Sequence, residues 1–439
     1  MEKFIIQGGK PLRGAVRVGG AKNASFKLMI ASLLAKGESR LLDIPQIGDV
    51  ETTREVIKSL GGKVAQRGER TVFINPESLN SFKIAPEFGF KSRASMMFAA
   101  PLLVLFGQAE MPLPGGDQVG RRPVERHLEG LKALGVQIKP ANQSLHFTTK
   151  GFQGCHYRFA KNTHTGTETM IMASVRAKGE TVLENAALEP EIDDLIDFLT
   201  KMGAKIKRLP GRIIKIEGVK CLKGTIHRVI SDRNEAVSYA CAALGTRGDV
   251  IIENIRASYL TAFLTKVRAI GGGVEADDFG VRFFYQKPLR AGSITTAPHP
   301  GFMTDWQPLW TTLMTQAQGE SRVIETIYEY RFGFVKDLQG MGAKIEFFNP
   351  QVKNPDRFYN FNLEDDKPEY FHGAKITGPT PLSGKNLTVT DVRTGATLTL
   401  AALIAKGQST LTGLEHIDRG YENLEIKLKE LGAKISRRK

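Results

Sequence analysis

Cysteine is scarce in this chain and poorly placed for chemistry. Of 439 residues only Cys155, Cys221 and Cys241 carry thiols, and their odd number without C-x-x-C spacing supports neither a disulfide framework nor a cysteine-based zinc site. No group of His, Cys and carboxylates has metal-ligand spacing, so neither a metal nor another cofactor is expected. No apolar run approaches the roughly 18 residues of a membrane span. The opening "MEKFIIQGGKPL" is too short an apolar stretch for a signal peptide. A reducing cytoplasm is the expected location. Aromatic residues are only 8% of the chain and are not interleaved with basic ones, which argues against a stacking platform for nucleic acid.

Acidic residues are also in deficit. The chain has 46 Asp plus Glu against 61 Lys plus Arg, a net charge of +15. Such a field suits an anionic partner, either nucleic acid or a small phosphorylated or nucleotide substrate. Many of these cations lie at helix ends and tails, as in the terminal "ISRRK", where solvation and pairing with the helix dipole account for them. Apolar residues at 41% and charged residues at 24% are those of an ordinary globular protein.

What the chain has in plenty is glycine at regular intervals. Gly37, Gly107, Gly179, Gly248, Gly319 and Gly407 recur at about 70 residues, each following an apolar helical run and preceding a short strand. About 25 residues further on, Gly61, Gly135, Gly203, Gly271, Gly342 and Gly432 close a second helix. In the third and sixth copies the wording nearly coincides: "ASVRAKGETVLENA" to "KMGAKI" against "ALIAKGQSTLTGL" to "ELGAKI". In the third copy "GTETMIMASVRAKG" predicts a helix capped by Gly179, "ETVLENA" a strand, and "EPEIDDLIDFLTKMG" a helix opened by Pro190 and acids. Six helix–strand–helix–strand units divide into two α/β domains of similar plan, each with internal three-fold pseudo-symmetry. The last interval is longer, and "NPQVKNPDRFYNFNLEDDKPEYFHGAK", within about 349–376, reads as an extended loop with no assigned chemistry.

Polar and cationic residues gather at the expected helix starts: Lys22, Arg93, Thr163, Arg233 beside Asp232, Asp305, and Arg393 beside Asp391. Arg122, Arg331 and Arg419 are placed at starts of the second set of helices. A helix N-terminus already carries partial positive charge, so an added cation there conflicts with the dipole unless an anion binds. The alternative for any one of them is a helix cap with its ion pair.

The motifs "GAKNA", "LPGGDQVGRRPVERH", "APHPGFMTDWQP", "DVRTGA" and "HIDRGYE", in their order and spacing, resemble the UDP-N-acetylglucosamine 1-carboxyvinyltransferases, enolpyruvyl transferases of early peptidoglycan synthesis. The resemblance runs from the first strand nearly to the last residue. It implies two lobes of three βαβαββ repeats, an inside-out α/β barrel arrangement, with residues 21–230 in one lobe and 1–20 plus 231–439 in the other. It implies attack of the 3-hydroxyl of UDP-N-acetylglucosamine on C2 of phosphoenolpyruvate, protonation at C3 and loss of phosphate, with the lobes closing on the sugar nucleotide first. No cofactor, nucleic acid or membrane enters that reaction, and the oligomeric state is not legible.

Carried over residue by residue, the resemblance assigns phosphoenolpyruvate to Lys22, Asn23, Arg122, Arg393 and Arg419. It assigns UDP-N-acetylglucosamine to Arg93, Arg122, Pro123, Val124, Glu125, Arg126, Lys161, Thr163, His164, Gly166, Asp305 and Ile327. Asp305 matches the acceptor of the hydroxyl proton, and Lys22 and Arg393 stand with it as catalytic. Arg331, Arg233 and Asp391 are placed at the anion site or in closure. Asp117 stands where most of the family has the loop Cys and is taken as the proton donor, so insensitivity to fosfomycin, an epoxide that alkylates that Cys, is expected. The family's "VSVGAT"-like stretch is "NTHTGTET" here, which leaves the register around Thr163 open by one position. The nearest rival, an enzyme of the same fold acting on shikimate phosphate, is disfavoured by the "PGGDQVGRRPVE" loop. A non-catalytic relative is disfavoured because Lys22, Asp305 and Arg419 are all retained, and an RNA-binding one because the arginines sit singly at helix starts instead of forming a stripe.

Overall fold

The computed structural model describes residues 2–91, 93–113 and 124–439. Asp117, Arg122 and Pro123 lie outside the described residues, as does the side chain of Arg93. The chain divides into two compact units, one formed by Ser231–Lys439 with the N-terminal stretch as far as Gly19, the other running between Gly20 and Ile230.

Among the described residues six of the seven sheets share one plan. Five are four-stranded, with orders in which one parallel edge strand joins an antiparallel group of three; the sixth, Gln108–Pro112 with Ser144–Thr148 and Gln137–Ala141, has three strands and a parallel bridge from Lys83 to Glu110. The third repeat shows the pattern: strand His156–Arg158, helix His164–Ser174, strand Glu180–Glu184, helix Pro190–Lys201, then the hairpin Lys205–Leu209 and Ile213–Glu217. This is βαβαββ, one strand at the start and one at the end more than the glycine ladder alone suggests. Its register puts Thr181 opposite Ile216 and Leu183 opposite Ile214, all four fully buried, as the two-residue alternation of a sheet with one buried face requires.

All the ladder glycines except Gly248 have positive φ, from 69° at Gly107 to 111° at Gly342, a conformation that costs glycine no Cβ clash. In the fourth repeat Arg247 takes the left-handed turn instead, at φ 59°. Gly248 is glycine for another reason: a Cβ there would sit 2.1 Å from the Leu12 carbonyl oxygen. Gly107 directly caps the helix Ala99–Phe106. Gly179 does not cap its helix, contrary to expectation. That helix ends at Ser174, and the chain has left it by Lys178, whose N–H pairs with the Phe152 carbonyl at 2.9 Å.

In the unit holding 231–439, the helices Arg233–Gly245, Gln307–Met314 and Val392–Ile404 pack on one another and are buried almost all round. Such helices need apolar or self-satisfied side chains on every face. Their buried threonines comply by back-bonding: Thr311 to the Gln307 carbonyl at 2.9 Å, Thr397 to that of Arg393 at 2.7 Å, Thr399 to that of Gly395 at 2.8 Å. The strand Lys3–Gln7 pairs with Lys434–Arg438, which joins the chain ends in one sheet, and Arg13–Arg17 runs parallel to Asp249–Glu253.

The segment expected as an extended loop is partly ordered. It contains the one-turn helix Pro355–Phe358, capped by the Asn354 side chain, the 3-10 turn Leu363–Asp365, and from Gly373 a strand. Asn360 N–H bonds the Thr326 carbonyl at 2.7 Å, and His372 is buried beside Tyr359 and Phe361 with Nε2 3.0 Å from Asp366. Aromatic packing and these bonds supply order that its Asn, Pro and charges do not announce. Among the described residues no helix is long and apolar enough to cross a membrane.

Candidate active site

The three central helices of the 231–439 unit begin close together. Asp305 lies in the 3-10 turn Thr304–Trp306, which runs straight into the helix Gln307–Met314. Arg393 is the second residue of Val392–Ile404, and Arg233 is the first of Arg233–Gly245. Arg393 Nη2 donates to Asp305 Oδ2 at 3.0 Å, and Trp306 Nε1 donates to the Asn234 side-chain oxygen at 2.9 Å. These bonds tie three N-termini into one region, where the aligned helix dipoles favour an anion.

Asp305 is shared by two guanidiniums. Arg331 Nη2 reaches its Oδ1 at 3.3 Å and the Thr304 carbonyl at 3.4 Å. Both arginines are largely buried, whereas the Asp305 side chain remains 22% exposed. Arg331 also lies over the Tyr328 ring, and its Nε has no partner among the described residues. Burial opposes the charge of Arg393, but Asp305, by charge and hydrogen bond, together with Tyr421 and Asp232, outweighs it and raises its pKa. Arg393 Nη1 also donates to the Tyr421 hydroxyl at 3.3 Å, which lies 2.8 Å from Ser238 Oγ.

Supporting contacts fix this geometry. Asp391 is an N-cap: its Oδ1 accepts from the N–H groups of Arg393 at 2.9 Å and Thr394 at 3.1 Å, and Thr394 Oγ1 donates to Oδ2. Arg233 is 1% exposed, lies over Trp306 and has Nη1 3.2 Å from His299 Nδ1, so it packs behind the Asp305 turn. Glu325, 1% exposed, accepts from Ile327 N–H at 2.8 Å, Tyr328 N–H at 3.2 Å and Thr304 Oγ1 at 3.1 Å. It thus joins the Ile327 segment to the Asp305 turn. Burial pushes its carboxyl up, against the lowering by Arg331 and these hydrogen bonds.

Two cations do not sit where the helix-start reading puts them. Arg419 follows the helix Leu414–Asp418 as its C-terminal cap residue, and Arg331 lies four residues ahead of Val335–Gly340, outside any helix. At a helix C-terminus a cation complements the dipole, so the conflict invoked for Arg419 does not exist. Asp418 beside it takes two bonds from Arg437, at 3.0 and 2.6 Å.

In the other unit, Lys22 opens the helix Lys22–Ala31, next to Asn23, and its ammonium lies 2.7 Å from Asp49. Val124 precedes the helix Glu125–Ala133, and Arg126 Nη1 donates to the Asn162 carbonyl at 3.1 Å, bringing Glu125 and Arg126 beside the Lys161–Thr163 segment. Thr163 caps the helix His164–Ser174, its Oγ1 accepting from Gly166 N–H at 3.2 Å. His127, which the sequence reading passed over, bridges Thr169 at 2.9 Å and Thr165 at 3.0 Å. Backbone placement puts Arg93 at the start of the 3-10 helix Arg93–Phe98. Among the described residues no group of three or more His, Cys, Asp or Glu could hold a metal ion.

The residues missed by sequence reasoning are Glu325, Tyr421, His127 and the buried pair Lys27 and Glu168, 2.7 Å apart, and they mostly act through contacts distant in sequence. Only Lys27 leaves a sequence signal, as a cation amid the apolar run "FKLMIASLL".

The model of the EPSP synthase family, 3-phosphoshikimate 1-carboxyvinyltransferase, matches residues 6–428. The chain is 39% identical over 435 residues to UDP-N-acetylglucosamine 1-carboxyvinyltransferase of Halothermothrix orenii, covering 99% of each. It is 40% identical to the Sorangium cellulosum enzyme of that name, over 100% of this chain and 99% of the relative. Its fold resembles the enolpyruvyl transferase NikO from Streptomyces tendae, with TM-score 0.87, 23% identity and coverage of 99% of this chain and 98% of that one. EPSP synthase from Acinetobacter baumannii superposes with TM-score 0.73 at 18% identity over the full length of both chains. The chain belongs to the EPSP synthase family of enolpyruvyl transferases, and it matches members named UDP-N-acetylglucosamine 1-carboxyvinyltransferase over essentially its full length.

Proposed function

We propose that the protein transfers the enolpyruvyl group of phosphoenolpyruvate to the 3-hydroxyl of UDP-N-acetylglucosamine, releasing inorganic phosphate, as an early step of peptidoglycan synthesis in the cytoplasm. The observation that carries the reading is a partly exposed carboxylate, Asp305, held by Arg393 and Arg331 where three buried helices begin. Its full-length likeness to relatives of that name supports the choice of acceptor.

The sugar hydroxyl loses its proton toward Asp305 as its oxygen bonds to C2 of phosphoenolpyruvate, and C3 gains a proton to give a tetrahedral phosphate adduct. Loss of a proton from C3 and of phosphate from C2 then restores the double bond. A carboxylate with an ordinary pKa near 3.9 is a weak base toward an alcohol, so Asp305 acts chiefly through position and through the neighbouring cations. The phosphate and carboxylate of phosphoenolpyruvate suit the planar forks of Arg393, Arg122 and Arg419 and the ammonium of Lys22, each charge-assisted contact contributing about 1.5–3 kcal/mol. Arg331 steadies Asp305 from the other oxygen. Asn23, Arg93, Pro123, Val124, Glu125, Arg126, Lys161, Thr163, His164, Gly166 and Ile327 are assigned to the sugar nucleotide or its neighbourhood.

Asp117 is the proposed proton donor to C3. For that its carboxyl must be about three pKa units above the usual carboxylate range, a difference of roughly 4 kcal/mol that a bound anionic substrate favours. Since an epoxide that alkylates a cysteine finds no thiol at this position, fosfomycin insensitivity follows. The test is phosphate release from phosphoenolpyruvate with UDP-N-acetylglucosamine or, in parallel, shikimate 3-phosphate as acceptor. Release with the sugar nucleotide alone is expected; release only with shikimate 3-phosphate, or with neither, contradicts the reading.

A further inference from the structure

A second charged cluster lies within the unit running between Gly20 and Ile230, and of its members only His164 has a part in the proposed function. Lys27, on the helix that Lys22 opens, is 2% exposed, and Glu168, on the helix His164–Ser174, is fully buried. The Lys27 ammonium lies 2.7 Å from each Glu168 carboxylate oxygen. It also lies 3.1 Å from Nε2 of His164, the residue one turn before Glu168, whose Nε2 is 3.2 Å from Glu168 Oε1. His164 Nδ1 has no hydrogen-bond partner among the described residues, and the side chain is 22% exposed. Isolated buried charges are costly, so a buried Lys–Glu pair touching one imidazole nitrogen constrains what that nitrogen can be.

The constraint fixes the tautomer. An ammonium has only donors, so a neutral His164 ring must accept from Lys27 at Nε2 and carry its proton on Nδ1. A protonated ring donates from Nε2 to Glu168 and again carries a proton on Nδ1. Both protonation states therefore leave Nδ1–H as the outward donor. Burial and Lys27 lower the pKa of the ring, yet the charge and hydrogen bond of Glu168 and the charge of Glu189 outweigh them and raise it. Without Lys27, a neutral ring would instead donate from Nε2 to Glu168 and present a bare acceptor at Nδ1, which repels phosphate oxygens.

We propose that Lys27 is a positioning residue for the acceptor substrate: by clamping Glu168 and His164 Nε2 it holds Nδ1–H of His164 as a donor to the phosphate oxygens of the sugar nucleotide. This rests on the functional reading above for the identity of the ligand, though the tautomer itself does not. The test uses the full-length enzyme labelled with ¹⁵N-histidine, the His164 signals being assigned from their loss in His164→Phe. At a pH where the ring is neutral, the wild-type unprotonated nitrogen should be Nε2, and in Lys27→Met it should be Nδ1. The same substitution should raise KM for UDP-N-acetylglucosamine about ten-fold or more, as loss of a hydrogen bond to a charged group does, with KM for phosphoenolpyruvate changed less than about two-fold. His164→Phe should match it. The wild-type spectrum needs no variant to fold, and a wild-type Nε2–H ring would overturn the proposal. An unchanged KM for the sugar nucleotide in His164→Phe would do the same. If the wild-type enzyme releases no phosphate with this acceptor, the functional reading fails, while the ring spectrum still decides the tautomer.

Discussion

Arg393 and Asp305, 88 residues apart in sequence, meet at 3.0 Å through Nη2 and Oδ2. The pair joins the starts of two buried helices and puts a cation suited to an anionic substrate directly on the carboxylate proposed to take the hydroxyl proton. Asp305→Asn keeps the size but removes the proton acceptor. It should lower kcat by about a hundred- to ten-thousand-fold, with KM for the sugar nucleotide little changed. Arg393→Lys loses the planar fork and should raise KM for phosphoenolpyruvate about ten-fold. Steady-state kinetics on both variants, varying one substrate at a time, checks the split.

Glu325 links two pieces of the candidate site by accepting from Thr304, Ile327 and Tyr328. Glu325→Ala strands these donors and should destabilise the protein by about 1–3 kcal/mol. Glu325→Gln keeps an acceptor and should cost less. Because burial raises the carboxyl pKa in the folded protein, the folded state holds that proton more tightly than the unfolded chain. The stability of wild type relative to Glu325→Gln should therefore be greatest below about pH 4.3 and fall as the pH rises through the carboxylate range. Urea unfolding of both proteins at several pH values measures the difference; a flat or rising difference contradicts the environment described for Glu325.

Arg437 holds Asp418, Glu425 and Glu2, and lies over the Phe4 ring. It anchors the first strand to the last and steadies the turn that carries Arg419. As the side chain is 25% exposed, its ion pairs are partly screened, and Arg437→Ala should cost about 1 kcal/mol by thermal or urea unfolding. KM for phosphoenolpyruvate should rise in the same variant, by less than in Arg419→Ala.

Asp117→Cys introduces a thiol at the position proposed to match the family's loop Cys. The wild type should keep full activity after incubation with fosfomycin, and the variant should be inactivated with a covalent adduct on the new thiol. Intact-protein mass spectrometry reads both, and an adduct on wild-type Asp117 contradicts the assignment.

The glycine ladder is legible because each repeat needs a left-handed residue where the chain turns into its strand, and few residues other than glycine accept that φ. The fourth repeat shows the limit of the rule, since Arg247 makes the turn and Gly248 serves a close approach to Leu12. Local signals also placed Asp305 and Arg393 at helix starts. They misplaced Arg419, because "HIDRGYE" reads equally as the start of one helix or the end of another, and they ran the third-repeat helix on to Gly179 because nothing local announces the bridge to Phe152. The partners Lys27–Glu168 and Ser238–Tyr421 are separated by 141 and 183 residues, and no pattern within one segment specifies them. Pairings of that kind arise only when the repeats stack.

The most direct test is the product itself. The enzyme, UDP-N-acetylglucosamine and phosphoenolpyruvate should yield one equivalent of phosphate and a sugar nucleotide whose proton spectrum shows a vinyl ether on O3. A spectrum with the sugar nucleotide unchanged while phosphoenolpyruvate is intact, or with the enolpyruvyl ether appearing only on shikimate 3-phosphate, would contradict it.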